Sequence, residues 1–93
     1  MHNTEFIIFD DLAYMWTKDK DFNRAFLKHL LEYWKDCLTC RGYIYLDKIY
    51  ESLGISWDPD DENVCYRKGE NVEFSFKECE DKNSFKIEIA CNY

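Results

Sequence analysis

Cys37-Leu38-Thr39-Cys40 sets two thiols three residues apart. Such a pair can supply half of a tetrahedral zinc site or form a redox dithiol, and each chemistry makes a further demand. Zinc needs four converging ligands, as a rule from a second closely spaced pair. The other cysteines, Cys65, Cys79 and Cys91, stand singly, and neither His2 nor His29 completes a pair. A redox dithiol gains its low thiol pKa at a helix N-terminus, whereas these thiols fall in the last turn of the longest helix the spacing predicts. Packing or helix-end cysteines are the expectation, with thiol or metal binding through Cys37 and Cys40 as an alternative.

Asp58-Pro59-Asp60-Asp61-Glu62 crowds carboxylates into one short loop. Calcium takes roughly six to eight oxygen ligands, and an EF-hand loop spaces them as D-x-[DN]-x-[DN]-G with a late Glu. Asp58 and Asp60 fit the first two positions, Glu62 is a poor third, and Asn63 stands where glycine belongs. The loop then reads as a solvated acidic turn or an acidic docking patch. Trp57 precedes it, and with Ile55 as the inward residue Trp57 turns outward; folding back onto the sheet is its other reading. A large aromatic ringed by carboxylates makes a protein-binding anchor, with a desolvated centre and a charged rim. Trp57, Asp58, Asp60, Asp61 and Glu62 are therefore the candidate partner-binding residues.

No catalytic residue is assigned. His29 lies beside an apolar helical stripe, and no serine or cysteine has a base that the sequence places next to it. Gly42 and Gly54 are needed to end helices and Gly69 to make a turn, so none is left for a phosphate-cradling loop. No cofactor or metal is expected.

The elements that must position these residues show in the periodicity. Residues 4–16 place Ile8, Phe9, Leu12, Ala13 and Trp16 at helical spacing, with Thr4 as a cap, although Phe6–Phe9 equally opens as an extended segment. The clearest helix runs from about residue 22 to 40. Phe22, Phe26, Leu27, Leu30, Tyr33, Trp34, Cys37 and Leu38 form one face; Asn23, Arg24, Lys28, Glu32, Lys35 and Asp36 form the other; Asp21 caps the start. Tyr43-Ile44-Tyr45 is β-prone. Leu46–Leu53 reads as a second helix, with Leu46, Ile49, Tyr50 and Leu53 inward and Gly54 as its stop.

After the acidic loop the period changes to two. Val64 and Tyr66, then Val72, Phe74 and Phe76, then Phe85, Ile87, Ile89 and Cys91 alternate with polar or small neighbours. Turns at residues 68–71 and 80–83 make this a three-stranded antiparallel meander. Its wet face carries Arg67, Glu73, Lys77, Lys86 and Glu88, read as cross-strand charge pairing. The expected fold is α+β, with two or three helices packed on one face of a three-stranded antiparallel sheet. A single domain spans 1–93, its helical part at 4–54 and its β-meander at 62–93.

Composition agrees with a packed domain: 46% of residues are hydrophobic and 18% aromatic, well above what a disordered chain carries. The formal charge of −7, from 19 acidic and 12 basic side chains, lies almost wholly in residues 47–93. That excess repels nucleic acid and anionic membrane and leaves a basic protein surface as a permitted partner. No leader-like or membrane-spanning stretch is read, and the five cysteines are an odd number, so a reducing cytoplasmic location is expected. Acid in the loops at 58–62 and 78–81 also raises a DNA-mimic reading, weakened by the bases on the wet face.

Gly42-Tyr43-Ile44-Tyr45-Leu46-Asp47-Lys48-Ile49-Tyr50-Glu51-Ser52-Leu53-Gly54-Ile55 resembles a segment of small phage and mobile-element proteins of Firmicutes. There a long helix leads to G-Y-[IV]-[FY]-L-x-x-[IV]-Y-x-x-L-G-[IL] and then to short strands, so the likeness covers about residues 22–91. The chain departs after Ile55, where those proteins often carry a basic or Gly-Trp element. The resemblance implies an accessory factor, the class that includes anti-CRISPR inhibitors of host nucleases. It transfers no functional residue. The resulting expectation is a non-enzymatic accessory protein that binds and inhibits a larger, partly basic host protein, such as a CRISPR-Cas nuclease. The alternative from another class is a self-associating module using exposed aromatics or an edge strand at Phe85–Tyr93.

Overall fold

The computed structural model describes residues 2–79 and 84–92. In chain order the elements are β1 (His2–Phe9), α1 (Lys20–Arg41), β2 (Tyr43–Tyr45) and α2 (Leu46–Leu53). A short 3-10 turn (Pro59–Asn63) then leads to β3 (Cys65–Arg67), β4 (Val72–Cys79) and β5 (Ser84–Asn92). The fold is α+β, with two helices and a three-stranded antiparallel sheet ordered β1-β5-β4 beside a two-stranded β2-β3 ribbon.

Several expectations change. Residues 4–9 lie in a strand, not in a helix. Ile7 and Phe9 point into the core while Phe6 and Ile8 stay about half exposed, which is period two; in register Ile7 faces Ile87 and Phe9 faces Phe85. A strand adjacent to β5 lets this segment bury two large side chains and fill its backbone hydrogen bonds at once. Asp10 then breaks the strand, its carboxylate accepting the Leu12 N–H at 3.0 Å. Leu12 is left 89% exposed, so it is no part of a buried face.

The sheet is also not the β3-β4-β5 meander. β3 pairs with β2, Tyr43 opposite Arg67 and Ile44 opposite Tyr66, and β1 takes the vacant side of β5. That makes β5 the central strand, with Phe85, Ile87 and Ile89 fully buried, so the edge expected at Phe85–Tyr93 is, over the described residues 85–91, already paired on both sides. Its apolar run fits a strand covered by neighbours on both sides. The turn expected at 80–83 lies outside the described residues.

On the outer face of the sheet, Lys77 stands opposite Lys86, not opposite an acid. Lys86 turns away, its ammonium 4.3 Å from the centre of the Phe6 ring. Arg67 belongs to the ribbon and not to this face.

Helix α1 begins earlier than predicted. Asp19, not Asp21, is the cap, its carboxylate accepting the N–H groups of Asp21 and Phe22. The buried stripe is Asn23, Leu27, Trp34, Cys37 and Leu38, while Phe22 and Tyr33 are mainly exposed. Helix α2 keeps its predicted bounds, and Leu46, Ile49 and Leu53 enter the same core cluster as Trp34 and β5. Glu78 of β4 bridges Lys20 and Arg24 at the start of α1. Hydrogen bonds from Lys20 and then Arg24 lower the Glu78 pKa. The tie therefore acts above the ordinary carboxylate range and is lost as pH falls through the lowered pKa.

Asn23 is the exception on the apolar stripe, fully buried where the polar face was expected. Its Oδ1 accepts from the Thr17 N–H at 3.0 Å and from Thr17 Oγ1 at 2.8 Å, while its Nδ2 donates to the Thr17 carbonyl at 3.0 Å. One amide thus satisfies a whole loop residue. Asn23→Ala is expected to cost about 1–3 kcal/mol, since it strands two part-buried donors and an acceptor of Thr17 together. Urea unfolding measures it, and a loss under about 0.5 kcal/mol, the scale of a neutral surface change, would mean the staple contributes nothing.

Candidate functional site

The predicted binding residues are all placed on or beside the 3-10 turn. Asp58 precedes it, Pro59 opens it, and the chain then turns at once, as proline with fixed φ favours. Asp58, Asp60 and Glu62 are exposed, whereas Asp61 is half-buried and turned inward. Its Oδ2 accepts the Asp58 N–H at 3.2 Å, so one oxygen of Asp61 shapes the turn. Ile55 packs against the core. Trp57 is 36% exposed, and its indole N–H donates to Glu62 Oε1 at 3.3 Å. The ring is thereby held among the carboxylates.

The turn rests on α2 and β2. Asp61 and Asp58 add to the rise in the Tyr50 pKa, which comes first from burial and then from Glu5. Burial, again followed by Glu5, pushes the Tyr66 phenol well up. Both hydroxyls therefore stay protonated throughout the physiological range.

The thiols of Cys37 and Cys40 differ in exposure. Cys37 is 9% exposed and belongs to the core, whereas Cys40 is exposed. Among the described residues no three His, Cys, Asp or Glu side chains converge as a ligand set. His29 lies exposed on α1.

A second feature escaped the sequence reading. Between the C-terminal half of α1, β2 and α2 runs a groove of about 640 Å³. Trp34, Ile44 and Cys37 form its apolar floor, with Tyr33, Tyr43, Tyr45, Arg41 and Lys48 around it. Tyr33, Tyr43 and Tyr45 are 53%, 44% and 41% exposed, and the rings of Tyr43 and Tyr45 meet edge to face with centroids 5.7 Å apart. Lys48 is bonded to Glu51 at 3.1 Å, while Arg41 has no ion pair among the described residues. The signal was present in Tyr43-Ile44-Tyr45: once Ile44 is taken inward, strand alternation sends both tyrosines out.

Comparison of the chain with protein-family models, with curated proteins and with solved structures gives no match.

Proposed function

We propose that this chain is a non-enzymatic accessory protein that docks on a larger protein with a basic surface and inhibits it by covering that surface. The contact is made by Trp57 with Asp58, Asp60 and Glu62, and Asp61 holds the turn in shape. The observation that carries this reading is the Trp57 ring, exposed and tethered to Glu62 amid carboxylates. An aromatic held in advance loses little rotamer freedom on binding, and the surrounding acids steer a cationic partner toward it. The chain's −7 charge extends that steering beyond the contact itself. The resemblance of Gly42–Ile55 to mobile-element proteins favours a nucleic-acid-binding host effector, of which a CRISPR nuclease is one kind.

The test begins with capture on immobilised chain at low and at high salt, followed by binding kinetics with the captured protein. Association is expected to slow by about tenfold or more as salt rises, since steering falls steeply with ionic strength. Trp57→Ala combined with Asp58→Asn, Asp60→Asn and Glu62→Gln is expected to abolish it. An association rate that ignores salt, together with a combined variant that binds unchanged, overturns this interface.

A further inference from the structure

The tyrosine groove is lined by no residue of the acidic turn. The two adjoin, because the turn packs against α2 and β2, whose residues form groove walls. Lys48, on such a wall, has its pKa raised first by the hydrogen bond to Glu51, with a smaller contribution from Glu62 on the turn. The charged side chains lining the groove are Arg41, Lys48 and Glu51, and because Lys48 and Glu51 pair with each other, Arg41 is the uncompensated one among the described residues. Beside it, Arg67 stands in register opposite Tyr43, which lines the groove. Neither Arg41 nor Arg67 has an ion pair among the described residues, in a chain with 19 acidic side chains against 12 basic.

We infer that this groove is the interface of a two-fold homodimer, in which the acidic turn of a second copy seats on Tyr33, Tyr43 and Tyr45. Trp57 of the partner subunit enters over the apolar floor, and Asp60 and Glu62 of the partner subunit face Arg41 and its cationic neighbours. Charge complementarity selects this occupant: an acidic, tryptophan-led segment fits a tyrosine-rich groove with unpaired cations, and this chain presents one. In a two-fold arrangement each turn seats on the other copy's groove, so the contact is made twice and closes at two copies. Exposed tyrosines around an apolar floor are the composition of such an interface centre. The dimer hides the very turn assigned above to partner binding, so self-association and docking exclude each other. The inference uses that turn but does not rest on the partner reading.

Sedimentation velocity of the full chain over a dilution series tests it. The unaltered chain is expected to pass from monomer to dimer as concentration rises. Tyr43→Ala, Tyr45→Ala and Arg41→Glu are each expected to weaken the dimer about tenfold, the scale of a central interface side chain. Asp60→Lys is expected to do the same from the other side, and Arg41→Glu joined to Asp60→Lys in one chain to regain association. Circular dichroism on each variant checks that it folds, and the groove variants leave the turn intact for partner binding, so the two readings fail separately. A chain that stays monomeric at every concentration overturns the inference, and so does a dimer indifferent to the groove substitutions. A charge exchange that regains nothing also overturns it.

Discussion

Trp34→Ala is expected to lower stability by about 3–5 kcal/mol, the range for truncating a fully buried large aromatic. In a domain of this size each kcal/mol shifts the melting midpoint by about 4–8 °C, so the loss is a large part of the total stability. Three elements depend on this one side chain. Trp34 of α1 is wholly buried, meets Phe74 of β4 edge to face at 5.6 Å, and donates its indole N–H to Ser52 Oγ of α2 at 3.1 Å. Ser52 in turn donates to the Ile49 carbonyl at 2.7 Å. The indole is therefore a packed mass with its single donor satisfied, as buried tryptophan requires.

Two further variants separate packing from hydrogen bonding. Trp34→Phe keeps most of the aromatic bulk and loses the donor, while Ser52→Ala keeps the indole and strands its N–H at a cost of about 1–3 kcal/mol. Losses for Ser52→Ala and Trp34→Phe that do not add in the double variant would show one shared bond. Urea midpoints give all of these numbers. A Trp34→Ala loss below about 1 kcal/mol would mean that α1 is not seated on β4 and α2 as described. The groove would lose its floor by the same change, since Trp34 also lines it.

How much of this was legible depended on whether local pattern and tertiary environment agreed. At Leu46–Leu53 they agree. The apolar side chains recur at helical steps, a glycine follows, and the bounds of α2 come out as read. At Phe6–Phe9 the pattern is apolar on every residue, which suits a strand as well as a helix. Only the free side of β5 decides between them, and that is a contact across some eighty residues of chain. The place of β3 is a separate matter: β4 ends the sheet ordered β1-β5-β4 with one side unpaired, yet β3 pairs with β2, a contact that alternation within residues 64–91 does not signal. Asn23 failed for a different reason: polarity alone put it outside, whereas its amide matches the exposed groups of Thr17 one by one.

The acidic turn was legible because charge and proline are local signals. What the sequence could not order was the division of labour within it, Asp61 inward and Asp58, Asp60 and Glu62 outward. The groove was hidden in part because it is shared among α1, β2 and α2. Tyr33 looked like a member of the apolar stripe, yet it lies one residue off the buried line through Leu27, Trp34 and Leu38.

The two helix-ending glycines give the second large prediction, because they share a backbone conformation and differ in surroundings. Gly42 has φ 87° and Gly54 has φ 74°, both left-handed. Alanine at either position pays about 1–2 kcal/mol for that conformation. A Cβ on Gly42 would meet nothing within 4 Å, whereas on Gly54 it would lie 2.6 Å from Tyr14 Cβ and 2.8 Å from the Met15 nitrogen. Neither neighbour is the far end of a flexible side chain, and the Tyr14 N–H donates to the Gly54 carbonyl at 2.8 Å. Relief of the clash therefore means lifting the 10–16 loop off the end of α2 and breaking that bond, for about 1–3 kcal/mol more. Gly54→Ala is expected to cost about 2–5 kcal/mol in total and Gly42→Ala only the conformational part. Because that part is common to both, the difference between two thermal melts isolates the contact of the loop with α2. Equal losses would show that the loop between β1 and α1 is not seated on Gly54, and with it would go the path by which β1 is led into α1.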